Sequence, residues 1–120
     1  MPRSLVVKVT CGSDDAERCN QGFTVAATAL AAGAEVSLWL TGEAAWYGVP
    51  GRAEEFALEG AAPLADLLAA VVASGRVTVC TQCAGRRGIT EADLLDDVRI
   101  AGAAAFVEEA LREDAQALVY

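Results

Sequence analysis

Between positions 77 and 89 the chain reads Val77-Thr78-Val79-Cys80-Thr81-Gln82-Cys83-Ala84-Gly85-Arg86-Arg87-Gly88-Ile89. A β-branched run stops at a cysteine, a second cysteine follows three residues later, and two arginines stand between glycines. Glycine frees the backbone for a tight loop, and the arginines set fixed positive charge near two thiols. A thiol beside cations loses its proton more readily, and the thiolate is the reactive form in sulfur chemistry. The pattern predicts a reactive cysteine at the end of a buried strand. Cys80 and Cys83 are the candidate catalytic thiols, with Arg86 and Arg87 stabilising the thiolate. The plainer alternative is that small apolar cysteines merely close a core strand. The cations and glycines around them favour chemistry.

Composition narrows what that chemistry can be. Histidine is absent, which removes every mechanism built on a histidine base, Ser-His-Asp and Cys-His arrangements included. A net charge of -8 sets the chain against nucleic acid and against an anionic membrane surface, since both would repel it. No apolar run reaches the roughly 18 residues that span a bilayer. Met1-Pro2-Arg3-Ser4 leads into a strand-like segment without the apolar h-region of a signal peptide. A cytoplasmic protein is expected. In that compartment four cysteines stay reduced, so metal binding or thiol chemistry is a better question than a disulfide scaffold. No cofactor and no metal are expected.

At 120 residues the chain fits one domain over 1–120 with a real core. Leu5 to Thr10 reads as a first strand, nearly continuous in apolar residues as buried parallel strands are. Cys11-Gly12-Ser13-Asp14-Asp15 turns the chain and supplies helix caps. Cys19, Phe23, Ala26 and Leu30 then lay one apolar stripe along a helix, which stops at Gly33 and makes Cys19 a core residue. Glu35 to Thr41 is a second strand, with Val36, Leu38 and Leu40 facing one way and Trp39 the other. Gly42 to Gly51 is a helical turn or a loop. Its Trp46 and Tyr47 either wall a pocket or partner surface or lie as a lid on the core.

A helix from Pro63 to Ser74 precedes the strand that ends at Cys80. Thr90-Glu91-Ala92-Asp93 resembles a capping box, with Asp in place of the usual Glu or Gln, for a short helix through Leu95. Val98 to Ala101 forms a fourth strand, Gly102 opens a helix with Phe106, Val107, Ala110 and Leu111, and Ala115 to Tyr120 closes as a fifth strand. Alternating strands and helices predict an α/β fold, a parallel sheet covered on both faces. Right-handed crossovers put every strand's C-terminal end on one edge, where ligand and catalytic groups gather. Cys11 and Cys80 both fall on that edge, so Cys11 joins Trp46 and Tyr47 as a candidate pocket or interface residue.

Three rival chemistries have weaker sequence support. Gly12-Ser13-Asp14-Asp15 lacks the glycine spacing of a phosphate loop, and its two aspartates would repel an anion. Four cysteines suffice for a zinc site, but Cys11 and Cys19 are seven apart and Cys19 sits on a helix stripe, unlike a paired zinc knuckle. A thioredoxin-like Cys-x-x-Cys pair would follow the first strand rather than the third.

Nearly the whole length resembles the DsrE-like family of small sulfur-transfer proteins, which includes DsrE, DsrF, TusD and YchN-like members. The strongest segment is the cysteine loop from Val79 to Ile89 with its Arg-Gly step. Weaker matches are Gly48-Val49, Val98-Arg99-Ile100-Ala101-Gly102 and Ala117-Leu118-Val119-Tyr120. That resemblance implies a three-layer α/β/α fold with a five-stranded parallel sheet in the order 4-3-2-1-5. It also implies a homo-oligomer, trimer or hexamer. Cys80 falls at the place of a persulfide-carrying cysteine. The expected function is a sulfur-relay protein that takes sulfur from a donor protein, holds it on Cys80 and passes it to an acceptor thiol. Cys83 can then release sulfur by forming a disulfide with Cys80. The alternative is a non-catalytic binding or assembly module with structural or zinc-holding cysteines. A further expectation is that Trp46, Tyr47 and Val49 form a patch that a monomer leaves uncovered and an oligomer buries.

Overall fold

In a computed structural model, residues 3–120 are described; Met1 and Pro2, read above as part of the chain's start, lie outside the described residues. Strands β1 (Ser4–Val9), β2 (Glu35–Leu40), β3 (Arg76–Cys80), β4 (Val98–Ala101) and β5 (Ala115–Val119) form one sheet. The order is β4-β3-β2-β1-β5 and every pairing is parallel, as the resemblance implied. The helices are α1 (Ala16–Ala31), α2 (Arg52–Glu55), α3 (Leu64–Ser74), α4 (Thr81–Arg86) and α5 (Ala103–Ala110).

Strand period and register divide the sheet into two unlike faces. Val7, Leu38 and Val77 stand in one row and Val9, Leu40 and Val79 in another, all fully buried where α1 and α3 pack on the strands. The stripe on α1 meets this face through Cys19, Phe23 and Ala26, each with no exposed surface, while Leu30 is only partly covered. Asp15 caps that helix, its Oδ1 accepting from the Arg18 backbone N–H at 3.4 Å. The opposite face carries the row Lys8, Trp39, Thr78 and Arg99 and lies under the much shorter α5. Trp39 packs beneath that helix, edge-on to Phe106 with ring centroids 5.5 Å apart.

Charged strand residues on this second face need partners, and Glu109 of α5 supplies one. It is 6% exposed. Its Oε1 accepts from Ser37 Oγ at 2.6 Å and Trp39 Nε1 at 3.0 Å, and its Oε2 from Arg99 Nη2 at 2.7 Å and Arg76 Nη1 at 3.4 Å. Arg99 Nε reaches Thr78 Oγ1 as well. One carboxylate thus fastens α5 to three strands.

Two expectations need correction. The stretch after Cys80 is a helix, α4, rather than a loop. Ala84 buries itself in the core and its carbonyl accepts from the Arg87 and Ile89 backbone N–H groups. Gly88, at φ +67°, makes the left-handed step that ends such a helix. The glycine stops the helix instead of loosening a loop. The capping box at Thr90 and Asp93 is present, but it opens a single 3-10 turn (Glu91–Asp93) rather than a helix through Leu95.

Candidate functional site

The C-terminal sheet edge brings three elements together: the end of β3, the first turn of α4, and the 3-10 segment Gly42–Gly48 that follows β2. Cys80 occupies the N-cap position of α4 and Cys83 lies three residues on. Both are partly exposed, free thiols. Cys83 Sγ accepts from the Gly42 backbone N–H at 3.2 Å. Gly42 holds φ +53°, and a Cβ there would run into the Thr10 carbonyl oxygen. Only glycine fits, so the N–H aimed at Cys83 is fixed by backbone geometry. Gly42→Ala is therefore expected to cost on the order of 1–3 kcal/mol, from a strained φ and displaced contacts together, read as a lower midpoint in urea. An unchanged midpoint would show that the segment tolerates another backbone path.

Arg87 ties the same elements. Its Nε and Nη2 bind Glu43 Oε2 at 3.0 and 2.8 Å, and its Nη1 donates to the Cys83 carbonyl at 3.2 Å. This guanidinium clamps α4 to the segment after β2. Arg86 is exposed. The cation that acts on Cys80 is Lys8, which shares a sheet face with it: Lys8 and Thr78 lie in one row, and Cys80 is two residues beyond Thr78. Lys8 Nζ sits 3.9 Å over the Phe106 ring, a cation–π contact that holds the ammonium on that face.

Burial pushes the Cys80 thiol up. The Cys83 and Gln82 backbone N–H groups, the Cys83 thiol and the Lys8 charge outweigh it, and the thiol lies below its ordinary value. No tight capping bond is made to the Cys80 side chain; the N–H groups act through their dipoles. The other two cysteines behave oppositely. Burial, then Asp15 and Asp14, push Cys11 up, and burial pushes Cys19 up to about 12, with Cys11, Asp14 and Asp15 adding to it.

Cys11 is thus a core residue beside Cys19, 5% exposed, and not the pocket or interface residue expected. The cysteines fall into two pairs instead of one four-sulfur cluster. Among the described residues, no three His, Cys, Asp or Glu side chains converge as a metal site requires. Trp46 and Tyr47 help line a cavity of about 150 Å³ beside Glu43. Tyr47 is nevertheless buried, edge-on to Phe23 and Phe56, while Arg52 stacks on Trp46 at 4.2 Å. This segment is mainly a lid on the core, so it does not leave the expected bare patch. Among the described residues, the exposed large apolar side chains are Val107, Leu111, Leu118 and Val119, on and beside α5 and β5.

Residues 4–116 match the DsrE/DsrF-like family. No curated protein matches the chain. Among solved structures, the YchN protein from E. coli superposes with a TM-score of 0.80 at 20% identity, and the protein of unknown function MTH1491 from Methanobacterium thermoautotrophicum with 0.68 at 10%. Each match covers 100% of both chains. At such identities these likenesses speak for the fold alone.

Proposed function

The chain belongs to the DsrE/DsrF-like family, associated with sulfur relay, and we propose that it carries sulfane sulfur as a persulfide on Cys80. One contrast carries the proposal. Cys80 is partly exposed at the sheet edge with its thiol lowered, whereas Cys11 and Cys19 are buried and raised. The Cys80 thiolate attacks the outer sulfur of a donor persulfide. A bond forms between Cys80 Sγ and that sulfur, and the donor leaves as its thiolate. An acceptor thiolate later attacks the same outer sulfur and Cys80 leaves as the thiolate again. No net oxidation occurs in either step. The donor and acceptor are proteins of the cytoplasm in this proposal, where thiols stay reduced.

Intact mass after incubation with a small persulfide donor tests it. Wild type should gain one sulfur atom and Cys80→Ser none. Equal gain by both proteins would remove Cys80 as the acceptor.

A homo-oligomer, trimer or hexamer, belongs to the same proposal. Leu111 is 78% and Val119 63% exposed on an edge strand and its packed helix, and large bare apolar surface is seldom left uncovered. Light scattering at micromolar concentration should give a multiple of the chain mass, and Val119→Lys with Leu111→Lys should reduce it. A monomeric wild type would refute assembly.

A further inference from the structure

We infer that Cys83 discharges the persulfide within the chain, so that a loaded protein meeting no acceptor releases sulfide and closes a Cys80–Cys83 disulfide. The inference rests on the persulfide proposed above and adds a second outcome to it. Three observations carry it. The two cysteines stand three apart where β3 passes into α4, Cys80 at the N-cap and Cys83 in the first turn, and both thiols are free and partly exposed. Residues at this spacing on a helical turn are neighbours. Cys83 Sγ has its own fixed partner, the Gly42 N–H at 3.2 Å. Finally, Arg87 joins the Cys83 carbonyl to Glu43, the residue after Gly42, so the sulfur and its donor are held together by two separate links.

A structural cysteine needs none of this. A hydrogen bond to an anionic sulfur is stronger than one to a neutral thiol, so the Gly42 N–H favours Cys83 most at the moment it attacks. In that step Cys83, its proton given to solvent, attacks Cys80 Sγ of the persulfide. The Cys83–Cys80 bond forms, the bond from Cys80 Sγ to the outer sulfur breaks, and the outer sulfur leaves with the electron pair as hydrosulfide. The sulfane sulfur is reduced and the two cysteines are oxidised, so electrons balance inside the protein. Reopening the disulfide takes two electrons from an external dithiol, which leaves as its own disulfide. The site thereby becomes a switch between relay and sulfide release, decided by whether an acceptor thiol arrives before Cys83 attacks.

The test loads the full chain with a small persulfide donor under anaerobic conditions, removes the donor, and follows sulfide and intact mass with time. Wild type should lose its extra sulfur, release one sulfide per sulfur held, and end two hydrogens lighter than the starting protein. Cys83→Ser, measured per sulfur loaded, should hold its sulfur at least about a hundredfold longer, since it lacks an intramolecular nucleophile. Excess dithiothreitol should return wild type to its starting mass. A wild-type persulfide as lasting as that of Cys83→Ser, with no disulfide, overturns this inference and leaves the carrier intact. A Cys80 that never takes sulfur overturns both. Because the wild-type time course alone can overturn it, a Cys83 variant that folded poorly would not shelter the inference.

Discussion

At pH 7 iodoacetamide should alkylate Cys80 more than about a thousandfold faster than Cys19. Only the thiolate reacts, so the ratio follows from ionisation. Cys19 is pushed up to about 12, which leaves about one thiolate in 10⁵ at pH 7, while an ordinary thiol near 8.5 holds about three in 100. Cys80 lies on the reactive side of ordinary. Burial of Cys19 in the α1 stripe, with no exposed surface, widens the gap further. Because the Cys80 shift is downward, its modification should set in at a lower pH than that of a free thiol. Lys8→Met, which keeps the aliphatic stem but removes the charge, should move that onset to higher pH. Arg86→Met, altering an exposed side chain, should not. A Cys80 as slow as Cys19 would sink the case for a tuned thiol. An onset that follows Arg86 and ignores Lys8 would return the tuning to the cysteine stretch itself.

Lys8 shows where reading the sequence stopped short. Arginines three to seven residues from the cysteines are the cations nearest in sequence, yet Arg87 binds Glu43 and Lys8 acts from β1. Strand order and register put Lys8 on the Cys80 face, and neither can be read from Lys8 alone. What was legible came from periodicity. The apolar runs gave the strands to within a residue or two, and the spacing of Cys19, Phe23 and Ala26 gave the buried stripe of α1. The helix after Cys80 was missed because Gly85, Arg86 and Gly88 resemble loop residues, whereas burial of Ala84 and the turn at Gly88 decide for a helix. A signal did exist for the second sheet face. Lys8, Ser37, Arg76 and Arg99 recur at alternate strand positions opposite the apolar ones, and so many polar residues on one face imply a buried counter-charge. Glu109 itself carries no local mark, since it follows Glu108 on the helix and only the packing of α5 decides which of the two turns inward.

That carboxylate is the source of the other large effect. Glu109→Ala should lower stability by about 3 kcal/mol or more, because it strands Arg99, Trp39 Nε1 and Ser37 Oγ with no acceptor between α5 and the sheet. In a domain of this size the melting temperature should fall by roughly 10 °C. Burial pushes Glu109 up, but the Ser37 and Trp39 hydrogen bonds and the Arg99 and Arg76 charges outweigh it and leave the carboxyl below the usual range. A carboxylate lowered on folding adds stability that is fully present above its unfolded value, about 4.3, and is lost as pH falls through its folded value. The melting temperature of wild type should thus drop between about pH 5 and pH 3, and Glu109→Gln, already weakened at neutral pH, should lose part of that slope. The same carboxylate holds α5, and with it Phe106, over Lys8 and Trp39. Glu109→Ala should therefore also raise the pH at which Cys80 is alkylated, although Glu109 never touches Cys80. A variant melting within a degree or two of wild type would show that α5 is held by Phe106 and its apolar contacts. Unchanged Cys80 chemistry in a destabilised variant would mean that Lys8 keeps its place without the helix.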